Sequence, residues 1–308
     1  MPSLCLLSVH AHPDDEASKG AGTVARYHAE GVHTVLVTCT GGEEGDILNP
    51  AMDRDDVRRD LPAIRRRELD DSARIIGYDE VVMLGYRDSG MPGSPANSDS
   101  RSFAVAPLEE AVGRLVEVIR RTRPQVVVTY PRDQRGYLHP DHLRVNEISE
   151  AAFDAAGDPA RHVDAGAPWQ PARLLYTKWS VKRMRAMHDK FLELGMDSPF
   201  TDERMARLLR SEAEEAAGAG DGDGDGAGGE RRLRRVVVDV SGHASVTRRA
   251  LLAHATQVDP NSKHWFGLPA DVADTIYPYD EYEVARDLTG WDWPDADMFA
   301  GLEAVAIH

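Results

Sequence analysis

The chain has 308 residues, 42% of them hydrophobic, and a formal net charge of −16. That length suffices for a full core, as one large α/β unit or a core with a smaller second lobe, and so acidic a balance excludes nucleic acid as the main partner, because phosphate binding needs a basic surface. No run approaches the roughly 20 apolar residues of a membrane span, and Met1-Pro2-Ser3 has no basic n-region, so the expectation is a cytoplasmic protein without a membrane partner.

The apolar run Leu4-Cys5-Leu6-Leu7-Ser8-Val9 predicts a buried strand whose mouth carries Ala11-His12-Pro13-Asp14-Asp15-Glu16. An imidazole and adjacent carboxylates are costly there unless something pairs with them, and a divalent metal would do so. A helix over 17–30 ends at Gly31, and a strand over 33–39 runs into Thr40-Gly41-Gly42-Glu43-Glu44-Gly45-Asp46, which completes a βαβ unit. Cys5 and Cys39 fall inside these strands and read as buried core thiols in a reducing compartment. Pro62 opens a charged helix closed by Gly77, and a third strand over 80–84 leads into Gly85-Tyr86-Arg87-Asp88-Ser89-Gly90.

Residues 91–102, rich in Gly, Pro, Ser and Asn, form a long loop. Pro107 begins an amphipathic helix with Leu108, Val112, Leu115, Val116 and Ile119 at helical spacing, and Gln125-Val126-Val127-Val128-Thr129-Tyr130 reads as a central buried strand. It delivers Tyr137-Leu138-His139-Pro140-Asp141-His142, from which a helix runs to about Ala156. Further on come a strand over 174–179, a helix over 181–194, a strand over 235–240 and helices over 245–258 and 280–288. The Ala/Gly/Asp stretch at 217–230 cannot bury apolar surface and is expected to be a disordered insertion; it lacks the Asx spacing and closing Glu of a calcium loop. The fold class is therefore α/β and Rossmann-like, a mainly parallel sheet flanked by helices. Residues 1–180 form the core and 181–308 a smaller C-terminal α/β portion completing the substrate pocket. The polar loops leave the carboxyl edge of the sheet, where sites form in open parallel sheets.

His12 and Asp15 can reach one ion from a tight turn, and of His139 and His142, three apart at a helix start, one can ligate while the other faces the same cavity. Two imidazoles and one carboxylate suit zinc with open positions, an arrangement for amide hydrolysis. Asp14 can take the proton from the attacking water; its competing role is a cap on the first helix. His139 can stabilise an oxyanion or protonate a leaving amine, with Asp141 orienting its ring, and Tyr137 can be a second oxyanion donor. Glu16 reads as a structural first-turn acid.

The pair Ala11-His12-Pro13-Asp14-Asp15-Glu16 and His139-Pro140-Asp141-His142, with Thr40-Gly41-Gly42-Glu43 between them, resembles the LmbE-like, N-acetylglucosaminyl-phosphatidylinositol de-N-acetylase (PIG-L) family of zinc hydrolases. Within it the chain is most similar to the actinobacterial branch acting on mycothiol S-conjugates, through Ser18-Lys19-Gly20, Gly45-Asp46-Ile47-Leu48-Asn49-Pro50-Ala51-Met52, Arg87-Asp88-Ser89-Gly90, Gly157-Asp158 and His254-Ala255-Thr256-Gln257-Val258-Asp259-Pro260-Asn261. The resemblance implies one zinc per chain on His12, Asp15 and His142, with iron able to occupy the same N/O site. It implies Asp14 as general base and His139 and Tyr137 as stabilisers of the tetrahedral intermediate. Arg65 and Asp88 would hold sugar-inositol hydroxyls, and Lys19 would suit a larger acyl group than acetate. The implied reaction cleaves the cysteinyl–glucosamine amide of mycothiol S-conjugates, giving a mercapturic acid and glucosaminyl-inositol. It would serve detoxification or the trimming of an adduct in natural-product biosynthesis. The alternatives are N-acetylglucosaminyl-inositol deacetylation and a non-catalytic binding module; the small-molecule partner is compatible with a homo-oligomer.

Overall fold

The computed structural model describes residues 4–134, 137–217, 233–290 and 292–302. Strand β1 (Cys5–His10) leads through α1 (Asp15–Ser18) and α2 (Ala21–Ala29) to β2 (His33–Thr40), and α3 (Asp55–Arg59) and α4 (Leu61–Ile76) lead to β3 (Glu80–Tyr86). Helix α5 (Leu108–Thr122) leads to β4 (Val126–Thr129), and α6 (Pro140–Ala156) to β5 (Arg173–Lys178). Beyond these lie α7 (Val181–Glu193), α8 (Asp202–Ala217), β6 (Arg235–Asp239), α9 (Ala244–Ala253), α10 (Lys263–Phe266), α11 (Ala270–Ile276) and β7 (Tyr279–Asp287). The strands form one seven-stranded sheet in the order β3-β2-β1-β4-β5-β7-β6. Strands β1 to β5 pair in parallel, and β7 lies antiparallel between β5 and β6. The α/β, Rossmann-like architecture is as the sequence predicts.

Strand β1 is buried throughout, Ser8 and His10 included, because both sheet faces are covered. Leu7 and Val9 face the layer of Val112, Leu115, Ile119, Ile148 and Phe153 from α5 and α6, while Leu6 faces Val24, Tyr27 and Leu251 from α2 and α9. Each such side chain contributes about 1.5–3 kcal/mol on burial. Cys5 and Cys39 are buried, unpaired thiols, and burial pushes Cys5 up to about 12.

The segment over 280–288, read as helical, is instead strand β7. Its charges, which suggest a solvated helix face, have partners across the sheet and beside it: Glu283 pairs with Lys178, Glu281 accepts from Ser180, and Asp280 accepts from the backbone and hydroxyl of Thr23. Tertiary pairing overrides local propensity here. The first predicted helix also breaks in two at Gly20, whose φ is +96°; a Cβ there would sit 2.5 Å from the Tyr282 hydroxyl, so this glycine lets β7 dock on the turn. Of the insertion expected at 217–230, all but residue 217 lies outside the described residues. Among those described, no helix is long and apolar enough to cross a membrane.

Candidate active site

Strands β1 and β4 are neighbours whose following connections depart to opposite sides of the sheet, and this opens a crevice beyond their carboxyl ends. The turn after β1 supplies His12, Asp14 and Asp15; the first turn of α6, with Pro140 at its start, supplies His139, Asp141 and His142. One ligating atom each from His12, Asp15 and His142 lies within 4.8 Å of the others. His12 Nδ1 is 3.5 Å and His142 Nε2 3.4 Å from Asp15 Oδ2. His142 Nε2 is buried without a hydrogen-bond partner, an expensive state that a bound cation would relieve. Burial disfavours the imidazolium of His12, yet Asp141, Asp15 and Asp88 around it outweigh burial and raise its pKa well above the usual value. The two-nitrogen, one-oxygen donor set of His12, Asp15 and His142 fits a divalent metal.

Asp14 adopts φ +122°, a conformation rarely adopted outside glycine. Its side chain makes no capping bond to α1, so the capping role is not the one it plays here. Its own N–H donates to Glu16 Oε2 at 2.9 Å. Arg65 grips the turn from below, donating to Pro13 O and Gly42 O, each at 2.6 Å, and to Asp14 Oδ2 at 3.2 Å. Gly42 permits this approach, with φ +69° and an added Cβ only 2.2 Å from Arg65 Nη1. Arg65 is buried whereas Arg66 and Arg67 are exposed, so it is no part of a solvated face. Burial raises the Asp14 pKa, with Arg65 pulling against it.

Asp141 does not orient His139 through its carboxylate as the sequence suggested. The carboxylate lies 3.2 Å from His12 Nε2 and accepts from the backbone and hydroxyl of Ser89, while His139 Nδ1 accepts from the Asp141 N–H at 3.2 Å. The proton of neutral His139 therefore belongs on Nε2, which is 3.9 Å from Asp88 Oδ1. Burial and the neighbouring His12 lower the His139 pKa to about 4. Asp88, 3% exposed, is 3.6 Å from His12 Nε2 and accepts from Gly90 N and Glu44 N, so it braces the cluster. Tyr137, half exposed, lays its ring over His139 and edge-on to His142, with centroids 6.0 and 5.0 Å away. Lys19 Nζ reaches Asp15 Oδ1 at 2.5 Å.

Sequence reasoning missed three supports. Tyr130 stacks on His142 at 4.5 Å and 20°, and its hydroxyl accepts from Ala11 N at 3.0 Å, tying the two motifs together. Ser89 holds Asp141. Glu16, read only as a first-turn acid, is completely buried against His254 Nε2 at 2.6 Å and Ser72 Oγ at 2.5 Å. Ser89 and His254 each left a signal, as members of stretches of likeness without a role of their own, and Tyr130 left none beyond its strand.

A family model described as GlcNAc-PI de-N-acetylase (PIG-L) matches residues 7–153. The chain is 36% identical over 307 residues to the mycothiol S-conjugate amidase of Streptomyces coelicolor, covering 97% of each chain. It is 37% identical over 309 residues to the 1D-myo-inositol 2-acetamido-2-deoxy-alpha-D-glucopyranoside deacetylase of Geodermatophilus obscurus, covering 98% of this chain and 99% of that one. Among solved structures, the N,N'-diacetylchitobiose deacetylase from Pyrococcus horikoshii matches with a TM-score of 0.58 at 16% identity, over 92% of this chain and 84% of that one, which shows a shared fold.

Proposed function

We propose a function from one premise: the chain belongs to the PIG-L (GlcNAc-PI de-N-acetylase) family and is a hydrolase acting on a linear amide bond. Its substrate, in our reading, is a mycothiol S-conjugate, cleaved at the cysteinyl–glucosamine amide to a mercapturic acid and glucosaminyl-inositol. Identity to the amidase and to the deacetylase relatives is nearly equal, so it does not choose between them. The observation that carries the choice is Lys19, whose Nζ bonds Asp15 and so stands beside the proposed metal ligands, at the position the family likeness gives to a larger acyl group.

His12, Asp15 and His142 would hold the metal, Zn2+ in our reading with Fe2+ as the alternative, and it supplies polarisation of the amide carbonyl and a more acidic water. Asp14, with its raised pKa, takes the proton of the attacking water. His139 donates Nε2–H to the developing oxyanion, with Tyr137 the second donor at the mouth. The proton gained by Asp14 is then the one delivered to the leaving glucosamine nitrogen. Asp141 fixes the ring of His12, and Arg65 holds the strained turn that aims Asp14. Turnover of a bimane conjugate of mycothiol beside the N-acetylglucosaminyl-inositol precursor tests the assignment: the conjugate is expected to be preferred, and preference for the precursor overturns it.

A further inference from the structure

The backbone of Asp14 is pinned on both sides of its Cα. Its carbonyl accepts from Ala17 N at 3.2 Å and Ser18 N at 3.3 Å in α1, and its N–H donates to Glu16 Oε2 at 2.9 Å. With both peptide groups held, the φ of +122° is enforced, and the direction of the Asp14 carboxylate is set with it.

A Glu in the first turn of a helix often reaches back to a free N–H there, and solvent suffices for the rest of its carboxylate. Glu16 is instead fully buried, and its other oxygen, Oε1, accepts from Ser72 Oγ on α4 at 2.5 Å and from His254 Nε2, just after α9, at 2.6 Å. A buried ion pair is a poor source of stability beside apolar packing, so its use here fits a demand for one fixed geometry. The anchors of Glu16 are themselves tied to α4. Arg65, Glu68 and Ser72, three and four residues apart, share one buried face of that helix. Arg65 holds the Asp14 turn, and Glu68 accepts from the N–H and hydroxyl of Thr256 at 2.9 and 2.6 Å, which fixes the segment carrying His254.

We propose that Glu16, clamped by His254 and Ser72, is a positioning residue of the reaction: by holding the Asp14 N–H it keeps the general base in the backbone conformation that aims its carboxylate at the attacking water. This rests on the reading of Asp14 as the base. It gives the stretch at His254 a task in catalysis, exerted through Glu16.

The test measures kcat, KM and metal content on the better of the two amides, the bimane conjugate of mycothiol or N-acetylglucosaminyl-inositol. Glu16→Asp, too short to hold both sides, should lower kcat about 10–100-fold with KM and metal content as in wild type. Glu16→Gln should stay near wild type, because its amide oxygen can accept from Asp14 N while its NH2 donates to Ser72 Oγ and to a neutral His254. In an Asp14→Asn background, Glu16→Asp should cost nothing further, since a residue acting through the base has nothing left to position. If Glu16→Asp does not fold, Ser72→Ala takes its place, with kcat lowered about fivefold, the scale of one hydrogen bond, and no effect in the Asp14→Asn background. Full additivity with Asp14→Asn, a loss in KM or metal content with kcat intact, or Glu16→Gln as slow as Glu16→Asp overturns the positioning role and leaves Asp14 as the base. No turnover of either amide, or Asp14→Asn as fast as wild type, overturns the base reading and the positioning role with it.

Discussion

The guanidinium of Arg65 is bonded at once to the carboxylate of Asp14, at 3.2 Å, and to the carbonyl of Pro13 just before it, at 2.6 Å. The family likeness suggested a hold on substrate hydroxyls, whereas these bonds are to the turn itself. Backbone strain of the kind seen at Asp14 costs about 1–3 kcal/mol and persists only where the surroundings enforce it. Arg65→Lys should therefore let Asp14 drift, and kcat should fall about 100-fold, as for a misplaced catalytic group, with KM little changed. A raised KM with kcat intact would put Arg65 against the substrate instead.

Asp14→Asn keeps the size of the side chain and removes its basicity. The variant should bind as much metal as wild type by elemental analysis and lose about 10²–10⁴ in kcat. Loss of metal together with activity restored by added Zn2+ would make Asp14 a ligand rather than the base.

His12→Ala and His142→Ala should lose the metal outright, read by elemental analysis after dialysis. Tyr130→Leu should weaken metal affinity by about 10–100-fold while all proposed ligands remain, because the stack that orients His142 is gone. Unchanged affinity in that variant would reduce Tyr130 to a core residue.

The parallel part of the sheet was legible because β1, β2 and β4 are largely apolar stretches buried on both faces, each followed by a polar loop at one edge. That the two His/Asp clusters meet followed from that edge, whereas the choice of His142 over His139 as a ligand came from the family likeness. What escaped was set by distant pairing: β7 carries charges whose partners lie on β5, α2 and the start of α7, and Glu16 looks like an ordinary first-turn acid until His254 arrives from a position 238 residues away. Asp141 misled in a related way. Two residues from His139 it seemed that ring's natural partner, yet at the start of α6 its backbone N–H meets His139 while its carboxylate turns towards His12 and Ser89.

The buried pair of Glu16 and His254 gives the fold a dependence on pH. Burial opposes the charge on both, and the opposite charge with its hydrogen bond outweighs burial, so His254 is raised above its ordinary value and Glu16 lowered below its own. The contribution of His254 is complete below its unfolded value of about 6.5 and is lost as pH rises through the raised folded value. That of Glu16 is complete above its unfolded value of about 4.3 and is lost as pH falls through the lowered one. Both act fully between roughly pH 4.5 and 6.5. His254→Gln leaves a buried carboxylate without its cation and should lower stability at pH 6 by about 3 kcal/mol. The gap between wild type and variant in urea unfolding should narrow as pH is raised beyond 6.5. A gap that stays constant from pH 6 to 10 would mean that His254 is neutral in the folded protein and acts by hydrogen bonding alone.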